Sequence, residues 1–181
     1  CLGGQFMTTN LLLTGTAIGT MLSALISLLM IYNREQLEKV YLWQLGSFSS
    51  ANWNKVIFLT VISVICVTTI FMFGRDLNVI LTGDDIASSL GIDTVRLKSI
   101  LILICALLVA SGVSVSGTIG FVGLIIPHCM KLLVGSDHRF LILFSYFGGA
   151  GFMVICDTIA RTIAQPTEIP VGVITAVFGA P

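Results

Sequence analysis

The chain has 181 residues, 56% of them hydrophobic and 10% charged, with nine basic and nine acidic side chains balancing to a formal net charge of zero. Mean hydropathy is +1.03. Soluble domains carry roughly a quarter charged residues, so an ordinary solvated surface is excluded. The zero balance also excludes a basic face for nucleic acid and an acidic face for cations.

What remains is an all-α polytopic membrane protein, whose spans can be taken in order. Leu11 to Tyr32 carries no charge, and about 20 such residues cross a bilayer. Gly15 and Gly19, followed by Ser23 and Ser27, form a small-residue stripe that suits close helix packing or the lining of a pathway. Asn33 to Lys55 is more polar, with Arg34, Glu35, Glu38 and Lys39. Tyr41, Trp43 and Trp53 fit the interface between hydrocarbon and water, which predicts a short interfacial helix over Glu38–Leu45 followed by a loop. Val56 to Phe73 is a second span, ended by Gly74-Arg75-Asp76.

Most of the charge falls in Arg75–Lys98. Thr82-Gly83-Asp84-Asp85 has the Thr-x-x-Asp form of a helix start, and its two carboxylates complement the helix dipole. Ile86 and Leu90 lie one turn apart, Gly91 suits the left-handed residue that ends a helix, and Asp93 can cap the next one. This predicts a short surface helix from Gly83 to Leu90 that exposes Ile86 and Leu90 between charged flanks. A mere linker has no need of it, whereas an interaction element does.

Ser99 to Met130 holds no charge apart from His128 and is too long for one span of about 30 Å. The small-residue run Ser111–Gly117 is where it is expected to reverse. A third span then covers Ser99–Ser114, and a shorter fourth helix covers Gly120–Val134. Gly117, Gly120, Gly123 and Pro127 punctuate this stretch as a structural hinge. A phosphate-cradling reading of the three glycines fails, because such loops follow a strand in a βαβ unit. Gly135–Arg139 is a tight polar connection, with His138 read as a surface turn residue and His128 as a helix-end histidine. Phe140 to Ile163 is the fifth span, with Gly148, Gly149 and Gly151 as a packing patch. Asp157 and Arg161 stand four residues apart on one face near its end, where snorkelling or a charge pair is expected. Ala164–Pro170 turns, and Val171 onward starts a sixth span.

Alternation puts Arg75, Arg96, Lys98, Lys131 and Arg139 on one side and Arg34, Lys39, Lys55 and Arg161 on the other. The positive-inside bias favours the first as cytoplasmic. Cys1, Cys66, Cys105, Cys129 and Cys156 lack CxxC spacing and read as small apolar residues. There is no Walker-type phosphate loop, no HExxH pair, and no serine in an elbow context with a histidine and carboxylate. Neither catalysis nor a cofactor nor a resident metal ion is expected, and any ATPase must be another chain. The chain opens at Cys1 without Met and stops within an apolar run, so it reads as a fragment.

GTIGFVGLIIPHCMKLLVGSDHR, DTIAR and EIPVGVITAVFGAP, together with LNVILTGDDIASSLGID, WQLGSFSSANW and LLLTGTAIGTMLSALISLL, resemble the iron-siderophore, haem and cobalamin ABC-importer permeases (the FecCD/BtuC-like family) across essentially the whole chain. The resemblance implies one transmembrane permease domain over residues 1–181. Its roughly six spans correspond to helices five to ten of a ten-helix protein in the bacterial inner membrane. It implies a homodimer or heterodimer of permeases, two cytoplasmic ATPase subunits and an external substrate-binding protein. By the same resemblance, Gly83, Asp84, Asp85, Ile86, Ala87, Leu90 and Gly91 couple to the ATPase. Arg161 docks the binding protein, with a pair to Asp157 as the competing role, and Gly15, Gly19 and Ser23 line or gate the pathway. Lys131 departs from the arginine usual after the Pro-His dipeptide, keeping the charge but losing the planar fork. An ion-gradient-driven carrier is the rival reading, but it needs ionisable residues near the midplane, and a non-transporting membrane scaffold is a second rival.

Overall fold

The computed structural model describes residues 2–32, 37–163 and 169–179. Arg34, Glu35, Pro166, Glu168 and Cys1, which carry parts of the sequence reading, lie outside the described residues, as do Ala180 and Pro181 at the end of the GAP motif. Every regular element of the described chain is a helix: α1 Leu2–Tyr32, α2 Leu37–Gln44, α3 Trp53–Met72, α4 Gly74–Ile80, α5 Asp84–Ser89, α6 Thr94–Ser116, α7 Val122–Val134, α8 His138–Ile163 and α9 Val171–Gly179. No strand occurs among the described residues.

The chain forms two packing units, Cys1–Tyr41 and Leu42–Pro181. In the first, α1 is one continuous helix of 31 residues. Three of its hydroxyl side chains turn onto their own backbone. Thr16 donates to the Leu13 carbonyl at 3.0 Å, Thr20 to Ala17 at 2.9 Å, and Ser27 to Ser23 at 2.9 Å. This satisfies polar atoms inside an otherwise apolar helix, as a membrane-spanning segment requires.

In the second unit α8 packs against α3, α4, α7 and α9, while α3 also packs against α6. Apolar burial is sparse and centres on Cys156, Ala160 and Val171, with Phe48, Phe152, Met153 and Ile174 against them. Large side chains such as Leu103, Leu124, Leu132 and Phe147 point outward. In water such a surface would aggregate, whereas in hydrocarbon it is the natural exterior.

Four helices are long and apolar enough to cross a membrane: Leu12–Tyr32, Trp53–Met72, Thr94–Ser116 and His138–Ile163. The fourth and sixth expected spans are shorter. The 13 residues of α7 reach only about 20 Å at 1.5 Å each, and nine residues of α9 are described.

Two boundaries differ from the sequence reading. The reversal expected within Ser111–Gly117 occurs later, because the serines do not break the helix. Ser111, Ser114 and Ser116 donate to the carbonyls of Leu108, Ser111 and Gly112 at 2.8, 2.8 and 3.0 Å, so α6 runs to Ser116 and the chain turns over residues 117–121. Gly74-Arg75-Asp76, expected only to end a span, opens the extra helix α4. There Gly74 is buried, and a side chain at its position would meet Arg139 Cγ at 3.0 Å. Of the glycines in α8, only Gly148 makes the expected close approach: a Cβ there would lie 3.1 Å from Met130 Cε, whereas Gly149 and Gly151 face open space.

Candidate functional site

The short helix α5 is bracketed by two glycines in conformations that L side chains rarely adopt. Gly83 precedes it at φ +123 and Gly91 follows it at φ +86. The expected Thr82 cap does not form. The Thr82 hydroxyl donates back to the Val79 carbonyl at 2.7 Å, and Gly83 stands at the N-cap without a side-chain bond. Asp84 is likewise not left facing the helix dipole alone, because Lys98 Nζ lies 2.7 Å from its Oδ2 and 2.8 Å from its Oδ1.

The C-terminal end forms as the sequence predicts. Gly91 N–H donates to Ser88 O at 3.0 Å and Ile92 N–H to Ala87 O at 3.1 Å, the paired bonds of a Schellman ending. Asp93 then caps α6, accepting from the Arg96 N–H at 3.0 Å. Only three residues, Leu90 to Ile92, separate α5 from that cap, so the two helices meet as a hydrogen-bonded elbow.

Burial divides the faces of α5. Ala87 is fully buried, while Ile86 and Leu90 are 51% and 66% exposed. Asp85 is exposed beside Ile86. Two large apolar side chains thus stand out on a helix whose opposite side is anchored. Beside it, Phe73, Asp76, Gly91, Ile92, Arg96 and Leu97 line an open cleft of about 510 Å³.

A second connection runs from α4 to α8. Asn78 Oδ1 accepts from the His138 backbone N–H at 2.9 Å and from His138 Nδ1 at 2.8 Å, while Asn78 Nδ2 donates to Asp137 Oδ1 at 2.8 Å. Asp137 also caps α8, taking the Arg139 N–H on its side chain at 3.0 Å and the Leu141 N–H on its carbonyl at 2.9 Å. The Asn78 amide, and after it the Arg139 N–H, hold the Asp137 carboxyl below its usual value. His138, expected to be a surface turn residue, is therefore a clasp residue at the head of α8. The clasp also puts the Gly74–Lys98 and Gly135–Arg139 connections side by side, as the alternation of spans requires.

At the break after α6, Gly117 has φ +75, and a Cβ there would fall 1.9 Å from Trp43 O. Ser47 N–H donates to Ser116 O at 2.9 Å, and the Thr118 hydroxyl donates to Gln44 O. Gly46, at φ +74, and Gly172 complete the crossing: their added Cβ atoms would lie 2.7 Å from Thr118 O and 2.0 Å from Leu45 O. Gly120 and Gly123 face open space, and Pro127 sits within α7. Of the four positions read as a hinge, Gly117 is thus the one held by its surroundings. Phe121, which the sequence reading passed over, adopts φ +67 and begins α7.

Arg161 Nε lies 2.8 Å from Asp157 Oδ2, so the pair one turn apart on α8 does form. In α1, nothing described lies within 4 Å of a Cβ added at Gly15 or Gly19, and Ser23 is exposed. His128 is exposed on α7. Among the described residues no cluster of His, Cys, Asp or Glu could hold a metal ion.

Long apolar helices, a short elbow helix with exposed apolar side chains and the break before α7 describe a multi-pass membrane protein. The FecCD transport family model matches residues 1–181, and the chain belongs to that family. It is a multi-pass protein of the cytoplasmic membrane. It is 39% identical to the cobalamin import system permease protein BtuC of Halobacterium salinarum, over 98% of this chain and 48% of the relative. It is 38% identical to the hemin transport system permease protein HmuU of Yersinia pestis, over 95% of this chain and 52% of the relative. A solved structure of an ABC transporter in an inward-facing conformation, assigned to the metal-chelate type, superposes with a TM-score of 0.83 at 37% identity, covering 88% of this chain and 52% of the other. The chain spans about half the length of the curated relatives it matches.

Proposed function

We propose that these residues are part of the transmembrane permease of an ATP-binding-cassette importer that moves iron-siderophore, haem or cobalamin-type complexes into the cytoplasm. The observation that carries the reading is family membership along the whole chain, joined to an anchored elbow helix that exposes Ile86 and Leu90. The two packing units belong to one permease domain. A separate ATPase hydrolyses ATP and the permease performs no chemistry of its own. A second permease subunit completes the pathway, and an external binding protein delivers the ligand.

In this reading α5, with Gly83, Asp84, Asp85, Ile86, Ala87, Leu90 and Gly91, is the element an ATPase subunit grips. Ile86 and Leu90 supply the apolar contact, Ala87 seats the helix, and the two glycines set its angle. Arg161 faces the binding protein while its Nε stays on Asp157. Gly15, Gly19 and Ser23 on α1 line or gate the pathway. An ion-gradient carrier would need charge near the middle of a span. The Asp157–Arg161 pair sits in the last two turns of α8, which favours the ATP-driven reading.

The test is reconstitution of the full permease with its ATPase and binding protein in proteoliposomes. Accumulation of radiolabelled ferrichrome, hemin or cyanocobalamin should require internal or external ATP according to ATPase orientation and should resist ionophores. Leu90→Asp should abolish it. Uptake that collapses with the ion gradient but ignores ATP would overturn the proposal.

A further inference from the structure

The reading of α5 as the ATPase grip leaves open how its movement reaches the opposite face of the membrane. One route is visible in the sequence: α5 continues through the Gly91 elbow into α6. The structure contains a second. α4 precedes α5 in the chain, separated only by Leu81, Thr82 and Gly83, and both of its neighbours hold it: α4 packs on α5 and on α8. At its middle, Asn78 makes three hydrogen bonds of 2.8–2.9 Å to the first turn of α8 and the residue that caps it. At its start, buried Gly74 lets Arg139 approach so closely that any Cβ would stand 3.0 Å from its side chain.

The partners are reciprocal. Asn78 uses its carbonyl oxygen on two donors of His138 and its amide on the acceptor of Asp137. Asp137 in turn holds two N–H groups of α8. Because Asn78 Oδ1 can only accept, His138 Nδ1 carries the proton in this bond. No other described residue joins α4 to the head of α8 through side-chain hydrogen bonds.

From that clasp α8 runs 26 residues without interruption, through Gly148, Gly149 and Gly151, to Ile163. That is about 39 Å at 1.5 Å per residue, the full thickness of a bilayer core and more. Arg161 stands in its last turn. A helix moves along its axis as a body, since its backbone bonds are all internal. A displacement applied to its first turn is therefore delivered to Arg161.

We infer that the Asn78–Asp137–His138 clasp makes α8 a transmission strut between the ATPase-gripped elbow and the opposite membrane face, with Asn78 and Asp137 as its positioning residues. This rests on the coupling assignment of α5. It adds that α5 drives α8 through α4 as well as α6 through Gly91, so that cutting the clasp uncouples the far end without dislodging the ATPase.

The clasp permits a variant that keeps the geometry while exchanging the chemistry. Asn78→Asp alone sets two carboxylates together. With Asp137→Asn beside it, the carboxylate at 78 accepts from His138 and the amide at 137 donates to it, while the new amide oxygen still takes the Arg139 N–H. The experiment uses the full permease in complex with its ATPase, with native cysteines replaced by serine and a fluorophore on Thr162→Cys in the last turn of α8. The readouts are ATP-driven fluorescence change, ATP hydrolysis and recovery of the intact complex.

The parent should respond to ATP. Asn78→Leu and Asn78→Asp should cut the response on the order of fivefold or more, the size of a typical coupling energy, with hydrolysis and complex recovery unchanged. Asn78→Asp/Asp137→Asn should restore it. Three results overturn the inference: a parent that does not respond, a response that survives Asn78→Leu, and a double variant that folds and hydrolyses ATP but stays silent. If the singles fail to assemble, restoration by the double decides the question alone. Should Leu90→Asp leave ATPase recovery intact, the assignment of α5 fails first. If Leu90→Asp releases the ATPase but the clasp variants respond normally, the strut alone is wrong.

Discussion

Asp84 and Lys98 bridge the two sides of the elbow, with Lys98 Nζ within 2.8 Å of both carboxylate oxygens. The pair ties the first residue of α5 to the second turn of α6, closing a loop whose other closure is the Schellman ending at Gly91. Both side chains are about half exposed, at 49% and 56%, so solvent screens the pair and its net contribution to stability is at most about 1 kcal/mol. Its consequence is orientation.

If α5 is the ATPase grip proposed above, Lys98→Ala should leave the unfolding free energy of the purified protein almost unchanged, within about 1 kcal/mol, while weakening ATPase association. Lys98→Arg should restore most of that association. Raising salt from low to physiological strength should narrow the difference between wild type and Lys98→Ala, because exposed pairs are screened. Pull-down of the ATPase across a salt series checks this. A large drop in melting temperature for Lys98→Ala would mean the pair is structural.

The glycines around the break separate into two classes. Gly117→Ala and Gly172→Ala place a methyl 1.9–2.0 Å from a carbonyl oxygen. Backbone carbonyls cannot swing aside as a flexible side chain can, and at Gly117 the φ of +75 with ψ −169, a region essentially confined to glycine, adds strain of about 1–3 kcal/mol. Each should destabilise the permease by several kcal/mol, enough to prevent recovery of folded protein, since domain stabilities are about 5–15 kcal/mol. Gly123→Ala meets nothing within 4 Å and lies in α7, where alanine is favoured by about 1 kcal/mol. Its expression and melting temperature should match or exceed wild type. Equal losses at all three positions would contradict the crossing described for Gly46, Gly117 and Gly172.

Four of the spans and the elbow helix were legible in the sequence because apolar run length and local capping rules act within a few residues. Gly91 and Asp93 form the turn and the cap that their identities suggest. Thr82 does not, because its hydroxyl found a nearer acceptor in Val79, a competition between two local bonds that motif spacing cannot rank. The Asn78 clasp and the Asp84–Lys98 pair join residues 59, 60 and 14 positions apart, beyond any periodic pattern. The one available signal was a polar Asn78 inside the apolar run Leu77–Leu81. Gly46 and Gly172 owe their necessity to backbones that meet only in the folded chain.

The faces of α5 allow function and stability to be separated. Leu90→Asp removes an exposed apolar side chain and adds charge to a solvated surface. It should cost less than about 0.5 kcal/mol in stability while, under the proposed coupling role of α5, abolishing ATPase association. Ala87→Leu is the converse. Ala87 has no accessible surface, and overfilling such a site costs about 1–3 kcal/mol, so melting should fall and the elbow should loosen. Melting curves and pull-downs on the same samples check both. If Ala87→Leu is neutral in stability, the anchored side of α5 has been misidentified.

Acid should loosen the head of α8 before the spans themselves. The Asp137 carboxyl is held below its usual value of 3.8, first by the Asn78 amide and then by the Arg139 N–H. A carboxylate depressed in the folded state stabilises that state above its unfolded value, and the stabilisation is lost as pH falls through the folded one. The clasp should therefore be fully formed at neutral and mildly acidic pH. It should weaken only below about pH 4, when protonation makes the carboxyl a poorer acceptor for the Asn78 amide and the Arg139 N–H. Asp137→Asn keeps a side-chain oxygen for the Arg139 N–H but cannot titrate, so it should start weaker at pH 7 and lose this acid-dependent step. Hydrogen exchange of the Arg139 and Leu141 amides across pH 3 to 7, corrected for intrinsic exchange, follows the local opening directly. Protection that declines in parallel for wild type and Asp137→Asn would assign the acid response to another group.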